Sequence, residues 1–197
     1  FSLMVHLANV LLVYDLLRRT LMSLKIRGDS VHAAPIAFGV ALLWMVHPLQ
    51  TDAVTYASQR TELLFSFFLL LAMWSFVRGC GRTRWTLATI GTCAMGMACK
   101  EVMVVAPLLI LLYDRQFISH GFSHAWRVHR SLYIGLMLTW MIVVGLLLVF
   151  PRSQSAGFHL GKETGVTAWN YLLTQNNSIV HYLCQVIWPD RLSIDIH

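Results

Sequence analysis

Charged side chains are scarce in this sequence. They make up 12% of its 197 residues, against about 25% in an ordinary soluble domain, and the mean hydropathy is +0.62. The apolar residues stand in long blocks, not at the spaced positions of a soluble amphipathic helix. Such blocks are typical of membrane spans, so the composition argues against an ordinary soluble core.

The sequence also lacks the motifs of several common active sites. It contains no GxxxxGK(S/T), GxGxxG, HExxH or GxSxG, which argues against nucleotide-binding, zinc-protease and esterase chemistry. Its four cysteines, at positions 80, 93, 99 and 184, show no CxxC or Cys/His ligand spacing. Neither a zinc site nor a disulfide framework is supported, and no cofactor is evident.

Basic residues outnumber acidic ones, 15 to 9, and the net charge is +6. They do not form one patch but fall in short clusters between the apolar blocks. The positive-inside rule predicts this pattern for the cytoplasmic loops of a membrane protein. We therefore expect a lipid bilayer, and not nucleic acid, as the partner.

The apolar blocks predict the architecture. They cover about residues 1–17, 33–46, 63–77, 85–99, 102–113 and 132–150. The predicted fold class is all-α: a polytopic integral membrane helix bundle of about six transmembrane helices with interfacial amphipathic helices. Phe1 already lies inside an apolar run and no signal peptide is visible, which indicates a piece of a longer protein.

An amphipathic segment follows at about 166–188. It lies on the membrane surface, or it spans the membrane with a polar stripe facing a cavity. The stripe consists of Asn170, Thr174, Asn177, His181 and Gln185.

The stretch from Trp85 to Tyr113 predicts a hairpin. One continuous helix would be about 43 Å long, well beyond a hydrocarbon core of about 30 Å, and would put Lys100 and Glu101 near its middle. Counting Lys and Arg in the loops does not decide between the alternatives, but the density of arginines before the last block favours two helices meeting at Lys100 and Glu101. The arginine-rich loops 18–32, 78–84 and 114–131 would then be cytoplasmic, with the polar segment 47–64, Lys100 and Glu101, and the tail after residue 150 on the opposite side.

A polar cassette, HPLQTDAVTYASQRTELL at residues 47–64, interrupts two apolar blocks. Pro48 ends the preceding helix, and Asp52, Tyr56 and Arg60 would share one face of the next. The cassette is either an interfacial connector or one wall of a polar pocket. The same two interpretations, a turn at the headgroups or a functional ionisable pair at membrane depth, apply to Lys100 and Glu101.

Histidines inside or beside the apolar blocks have simpler interpretations. His6 and Asn9 are at i, i+3 in an apolar helix, where interhelical hydrogen bonding is the expected role. His120, His124 and His129 stand in a basic cytoplasmic segment, which we interpret as solvated or at headgroup level. None of these patterns predicts a metal site.

Several stretches together resemble the membrane half of the transmembrane and tetratricopeptide-repeat proteins and their bacterial relatives. They are NVLLVYDLLRR at 9–19, the cassette, KEVMVVAPLLILLYDR at 100–115 and WNYLLTQNNSIVHYLCQVIWPDRLSID at 169–195. The resemblance implies a partial GT-C-like membrane domain over 1–197, in the bacterial inner membrane or the endoplasmic reticulum membrane. It also implies that the acidic catalytic motif lies upstream of Phe1 and that the tetratricopeptide repeats lie outside this chain.

The resemblance implies transfer of a sugar from a polyprenyl-phosphate carrier to an acceptor, with protein hydroxyl groups expected, on the non-cytoplasmic face. Such transfer needs cations at the leaving phosphate and a base at the acceptor. The predicted phosphate-binding residues are Arg60, Lys100 and His47, and the accessory acids are Asp52, Glu62 and Glu101. A divalent metal is possible in this superfamily, although no ligand set is visible. A transporter of lipid-linked sugars and a non-catalytic membrane anchor for a repeat scaffold are the alternative functions.

Overall fold

The computed structural model describes residues 1–24, 32–50, 60–79, 82–149, 176, 179–180 and 183–186. The regular elements of this described part are all helical, which confirms the all-α class. They are α1 (Ser2–Ser23), α2 (Ala33–Met45), α3 (Arg60–Arg78), α4 (Thr83–Cys99), a 3-10 turn (Glu101–Val105), α5 (Ala106–Tyr113), a π-helical turn (Asp114–Ile118) and α6 (Phe122–Val149).

The chain forms two compact units, residues 1–145 and 146–197. In the second unit, positions 176, 179–180 and 183–186 are helical. An exposed apolar face is formed there by Ile179, Val180, Leu183 and Val186. These positions belong to the apolar face of the predicted amphipathic segment, whose polar stripe lies outside the described residues except for Gln185.

Within the described part of the chain, one helix is long and apolar enough to cross a membrane by length and composition, namely α3. The apolar helix α2 is shorter, with 13 residues. The number of transmembrane helices therefore stays a prediction. The helices themselves follow the apolar blocks closely at α2, α3 and α4, and Pro35 stands in the first turn of α2, where its missing N–H has no helical partner to lose.

Two helix boundaries differ from the prediction. Helix α1 continues past Arg18 and Arg19 to Ser23, because Asp15 pairs with both arginines from neighbouring turns and so extends the helix through its charged segment. Helix α6 begins at Phe122, well before the apolar block, so most of the segment predicted as a loop is helical.

The predicted break at Lys100 is present. Lys100 is extended, with φ −155° and ψ 135°, and it separates α4 from the 3-10 turn. The chain turns back there: Met103 lies so close to Gly96 that a Cβ on Gly96 would be 2.8 Å from its methyl carbon. Helix α5 then returns toward the end of α1, where the hydroxyl groups of Tyr113 and Thr20 are 2.6 Å apart.

The start of α4 lies at that same end of the bundle. Trp85 contacts Trp74 of α3 with ring centroids 5.6 Å apart, and the Trp74 indole donates a hydrogen bond to Asp15 of α1. Helices α4 and α5 therefore form a hairpin, as predicted. Its open end lies beside the arginine-rich end of α1, and its turn lies at the other end.

A buried apolar cluster joins α3, α4, α5 and α6. Gly135 of α6 faces Ile90 of α4, whose Cδ1 would lie 2.2 Å from a Cβ at position 135. Cys93 is fully buried in this cluster, as expected for a small apolar thiol. The fully or nearly fully buried members are Ala72, Phe76, Cys93, Met97, Met103, Ala106, Ile110, Ala125, Leu132, Tyr133 and Leu136.

Candidate functional site at the Glu62–Lys100 end

An ion pair lies at one end of the bundle. Glu62 lies in the first turn of α3 and Lys100 follows the last residue of α4, and the Lys100 ammonium donates a hydrogen bond to Glu62 Oε1. The Lys100 and Glu62 side chains are 27% and 42% exposed. Both charges therefore keep contact with solvent and avoid the full cost of burial. The structure brings together two residues that the sequence proposed separately.

Lys100 keeps donor capacity beyond this pair. An ammonium carries three N–H donors and no acceptor, so the bond to Glu62 leaves two donors for another anion. The extended backbone of Lys100 sets where that group lies, because it ends α4 and starts the 3-10 turn. A lysine held by one carboxylate and still open to solvent can bind a phosphate oxygen without a large rearrangement.

Two polar side chains of α1 support this end. Asn9 Nδ2 donates to the carbonyl of Leu63 at 3.4 Å, and His6 Nε2 lies 3.2 Å from the carbonyl of Met45. The His6 ring also stacks on Trp44, with centroids 5.5 Å apart. The predicted interhelical hydrogen bonding of His6 and Asn9 is confirmed, and it fixes α1 against the end of α2 and the start of α3.

His6 and Asn9 each use only one of their two polar side-chain atoms in these contacts. His6 Nδ1 and Asn9 Oδ1 are both buried and have no hydrogen-bond partner among the described residues. A buried polar atom without a partner costs about 1–3 kcal/mol. Both atoms lie near the start of α3; at the arginine-rich end Arg18 Nε is likewise buried without a partner among the described residues.

His47 orders the chain after α2. The N–H of Leu49 donates to His47 Nδ1 at 3.3 Å, and the N–H of Gln50 donates to the His47 carbonyl at 2.9 Å. The helix ends before Pro48, as predicted. This local turn gives His47 a structural task in addition to the predicted phosphate contact.

The other predicted site residues are only partly located. Arg60 opens α3 with an exposed side chain, and no carboxylate of the described residues pairs with it. Because residues two apart on a helix do not face each other, Arg60 and Glu62 point in different directions. Asp52 lies outside the described residues. Glu101 opens the 3-10 turn, and its side chain also lies outside the described part.

A buried polar network at the opposite end escaped the sequence analysis. Asp114 is fully buried; it accepts hydrogen bonds from Ser119 Oγ at 2.8 Å and from the Tyr133 hydroxyl, and its Oδ2 lies 2.9 Å from His129 Nδ1. His129 is 7% exposed, so of the two interpretations, solvated or at headgroup level, the solvated one is wrong for this histidine. The α6 backbone departs from helical geometry at His129, with φ −112° and ψ 26°, and the ring contacts Phe76.

Asp15 forms a second network at this arginine-rich end. It accepts hydrogen bonds from Arg19 Nε at 2.6 Å and from Trp74 Nε1 at 2.7 Å. The Arg78 guanidinium lies over the rings of Trp74 and Trp85, at 4.8 and 5.2 Å from their centroids. One sequence signal was available: Asp15 and Asp114 each follow a tyrosine near the end of an apolar block, where an acid needs a partner.

Comparison with known proteins shows partial similarity to protein O-mannosyl-transferases. The chain is 30% identical over 138 residues to Protein O-mannosyl-transferase Tmtc3 of Drosophila melanogaster, covering 60% of this chain and 15% of that protein. It is 35% identical over 88 residues to human TMTC3, covering 42% and 10%, and 31% identical over 99 residues to mouse TMTC4, covering 45% and 13%. The chain thus spans only a small part of these relatives.

This homology supports the family resemblance found in the sequence. No family model matches the chain, and no solved structure matches it. Among the described residues, no group of three or more His, Cys, Asp and Glu side chains is arranged to hold a metal ion.

Proposed function

We propose that this chain is part of the membrane domain of a glycosyltransferase. The enzyme would move a sugar from a polyprenyl-phosphate carrier to an acceptor hydroxyl on the non-cytoplasmic side. The observation that carries the proposal is the Glu62–Lys100 pair, which joins residues 38 apart in sequence at the end of the bundle opposite the arginine-rich end of α1. The partial homology to protein O-mannosyl-transferases supports the reaction class.

The surface of the first unit supports membrane placement. Large exposed apolar patches mark contact with lipid or with another protein, and here they cover helices that are far apart in the sequence. On α2 they include Ile36, Phe38, Val40 and Leu43, and on α6 they include Ile134, Met137, Leu138, Met141 and Val144.

The roles of the site residues follow from their charges. Lys100 would bind the carrier phosphate, whose negative charge grows as the bond to the sugar breaks. Arg60 lies on a different side of the first turn of α3 from Glu62, so it would contact the phosphate from the side away from the ion pair. Glu62 positions Lys100 through the ion pair and does not touch the substrate. The base that takes the proton of the acceptor hydroxyl is proposed to come from the acidic motif expected before Phe1.

Substitution of the two cations in the full-length protein tests the proposal. We expect Lys100→Ala and Arg60→Ala each to reduce transfer from polyprenyl-phosphate mannose by about 100-fold or more, the usual loss when one group that stabilises the transition state is removed. Transfer is measured with radiolabelled donor in reconstituted membranes. Arg84→Ala is the matched control, because Arg84 is exposed in the first turn of α4 at the opposite end.

The outcomes separate the candidate functions. Unchanged transfer in both cation variants would contradict the site assignment. Wild-type protein that moves the lipid-linked sugar across the bilayer without transferring it would indicate a transporter. Protein that neither binds nor transfers the donor would indicate a membrane anchor.

A further inference from the structure

The first turns of α6 carry an open groove of about 570 Å³. It is lined by Phe122, Ser123, Trp126, Arg127 and Arg130. These positions follow one another at i, i+1, i+4, i+5 and i+8, so they share one face of the helix. The opposite face is buried, with Ala125 and His129 packed inward. The groove therefore lies on the outer surface of α6 and is not a cavity in the core.

The groove carries positive charge without compensation. Arg127 and Arg130 are exposed, and neither pairs with a carboxylate in the described part of the chain. Asp114, the acid of this region, is fully buried with Ser119, His129 and Tyr133 and forms no ion pair with either arginine.

Aromatic rings complete the groove. The Arg115 guanidinium lies 4.2 Å from the centroid of Phe122, which adds a third cation at its edge. Trp126 stacks on Tyr133, with ring centroids 5.8 Å apart and planes at 7°. Tyr133 in turn donates to Asp114, so the buried network holds the tryptophan in place. A groove that combines cations with aromatic rings suits a ligand that carries both a phosphate group and apolar chains.

The position of the groove along α6 matches a membrane interface. The helix from the kink at His129 to Val149 is about 30 Å long at about 1.5 Å per residue, the thickness of a hydrocarbon core. If this part spans the bilayer, Arg127 and Arg130 lie at headgroup level. Trp126 is then an interfacial tryptophan, where such rings are enriched.

An apolar stripe continues from the groove. Ile134, Met137 and Met141 follow Arg130 at steps of four, three and four, on the face that carries Trp126 and Arg130, and all three are about half exposed or more. Acyl chains of a lipid whose headgroup lies between the arginines would run along this stripe. A soluble anion would make no use of it.

We propose that this groove binds the phosphate of an anionic phospholipid in the membrane leaflet at the arginine-rich end. Arg127 and Arg130 contact the headgroup, Phe122 and Trp126 flank it, and the apolar stripe of α6 contacts the acyl chains. The site rests on the proposed membrane placement, and it is separate from the Glu62–Lys100 site at the opposite end of the bundle.

The test uses the full-length protein in phosphatidylcholine vesicles with spin-labelled lipid at low concentration. The relative association constant of labelled phosphatidic acid over labelled phosphatidylcholine is measured from the immobilised fraction. We expect a preference for phosphatidic acid that falls about fivefold for each arginine replaced in Arg127→Gln and Arg130→Gln, the size expected for a basic residue near an anionic surface. The variants should unfold at the wild-type temperature, because both side chains are exposed.

The matched control is the double variant Arg82→Gln/Arg84→Gln. It removes two charges, as many as Arg127→Gln and Arg130→Gln together, from exposed arginines at the same end, outside the groove, and we expect it to keep the lipid preference. An equal loss in this control would contradict a specific site and show general surface charge instead. Displacement of phosphatidic acid from detergent-solubilised protein by millimolar inorganic phosphate would also overturn the proposal, because it would indicate a free-anion site.

Two further outcomes separate this site from the proposed enzyme. Failure of the protein to enter vesicles would contradict the membrane placement on which both proposals rest. Reconstituted protein that transfers sugar but shows no lipid preference would overturn the lipid site alone. Protein with the preference but without transfer would overturn the proposed function alone.

Discussion

The two ends of the described bundle are both polar, but they use their polar groups differently. At one end Lys100 and Glu62 form a single ion pair that is partly exposed. At the other end Asp114 has three partners and no exposure, and Asp15 is held by two arginines and a tryptophan. Along α3, Glu62 and Arg78 are about 24 Å apart at about 1.5 Å per residue, so the two arrangements are independent.

This difference indicates a division of tasks. A fully satisfied buried network rigidifies the structure, because any change leaves a buried group without its partner. A half-exposed pair can exchange one partner for another with little loss, since water and salt already screen it. The arginine-rich end is therefore suited to holding the helices in register, and the Glu62–Lys100 end is suited to binding.

Asp114→Ala tests the structural end most severely. It removes the acceptor for His129, Ser119 and Tyr133, and breaking a buried pair of this kind costs about 3–5 kcal/mol. We expect the free energy of unfolding to fall by that amount, measured by denaturant titration of the purified protein in detergent. Ser119→Ala is the control, with an expected loss of about 1 kcal/mol for one hydrogen bond. Equal losses would show that Asp114 does not organise this end.

Gly79→Ala tests the packing beside the Arg78 cluster. A Cβ at Gly79 would lie 1.9 Å from Trp85 Cγ and 2.1 Å from its Cβ, and the Trp85 Cβ can move only with the backbone. Such overpacking costs about 1–3 kcal/mol, measurable as a lower midpoint of thermal unfolding. Gly91→Ala in the same helix as Trp85 is the control: its Cβ would meet open space, and alanine should stabilise the helix by about 0.5–1 kcal/mol. Stabilisation of both variants would contradict the tight packing of Gly79 against Trp85.

Trp74→Phe tests the link between α1 and α3. It removes the indole donor to Asp15 while keeping an aromatic ring under Arg78, and a hydrogen bond to a charged group contributes about 1.5 kcal/mol. Trp140→Phe removes an indole donor to the neutral carbonyl of Val104, so we expect a loss of about 0.5–1 kcal/mol. Denaturant titration of the two variants side by side measures the contrast. A larger loss for Trp140→Phe would contradict the charged role of Asp15.

The sequence predicted the helices better than the contacts between their ends. The apolar blocks predicted α2, α3 and α4. The greatest length of a membrane-spanning helix predicted the break at Lys100. The apolar-block pattern ended α1 too early. It treats Arg18 and Arg19 as the start of a loop, although Asp15 pairs with both of them within the helix. It also missed the pairing of His129 with Asp114, since that contact depends on a π-helical turn and a kink that leave no periodic pattern.

The candidate site shows the same limit. The residue types predicted Arg60, Lys100 and His47 as phosphate-binding residues and Glu62 as an accessory acid, and the predicted hairpin placed them on one side of the membrane. The direct contact of Glu62 with Lys100 required the extended backbone at Lys100, which hydropathy does not encode. Asp52 and the Glu101 side chain lie outside the described residues, so their part in the site stays a prediction.

The smallest effect on stability is expected at the Glu62–Lys100 pair, and it is also the most decisive. Because the pair is partly exposed, Glu62→Gln or Lys100→Ala should change the free energy of unfolding by about 0–1 kcal/mol, measured as for Asp114→Ala. Sugar transfer should nevertheless fall in both variants, more in Lys100→Ala than in Glu62→Gln, because in the proposed site the lysine binds the phosphate and the glutamate only positions it.

The exchange variant Glu62→Lys/Lys100→Glu separates a binding pair from a structural one. It keeps an ion pair between α3 and the end of α4, so stability should match the wild type. It moves the cation to the other helix, so transfer should stay low. A structural pair would behave in the opposite way: each single variant would lose several kcal/mol, as at Asp114, and the exchange would restore both stability and transfer. That result would make the two ends of the bundle alike and would remove Lys100 from the proposed site.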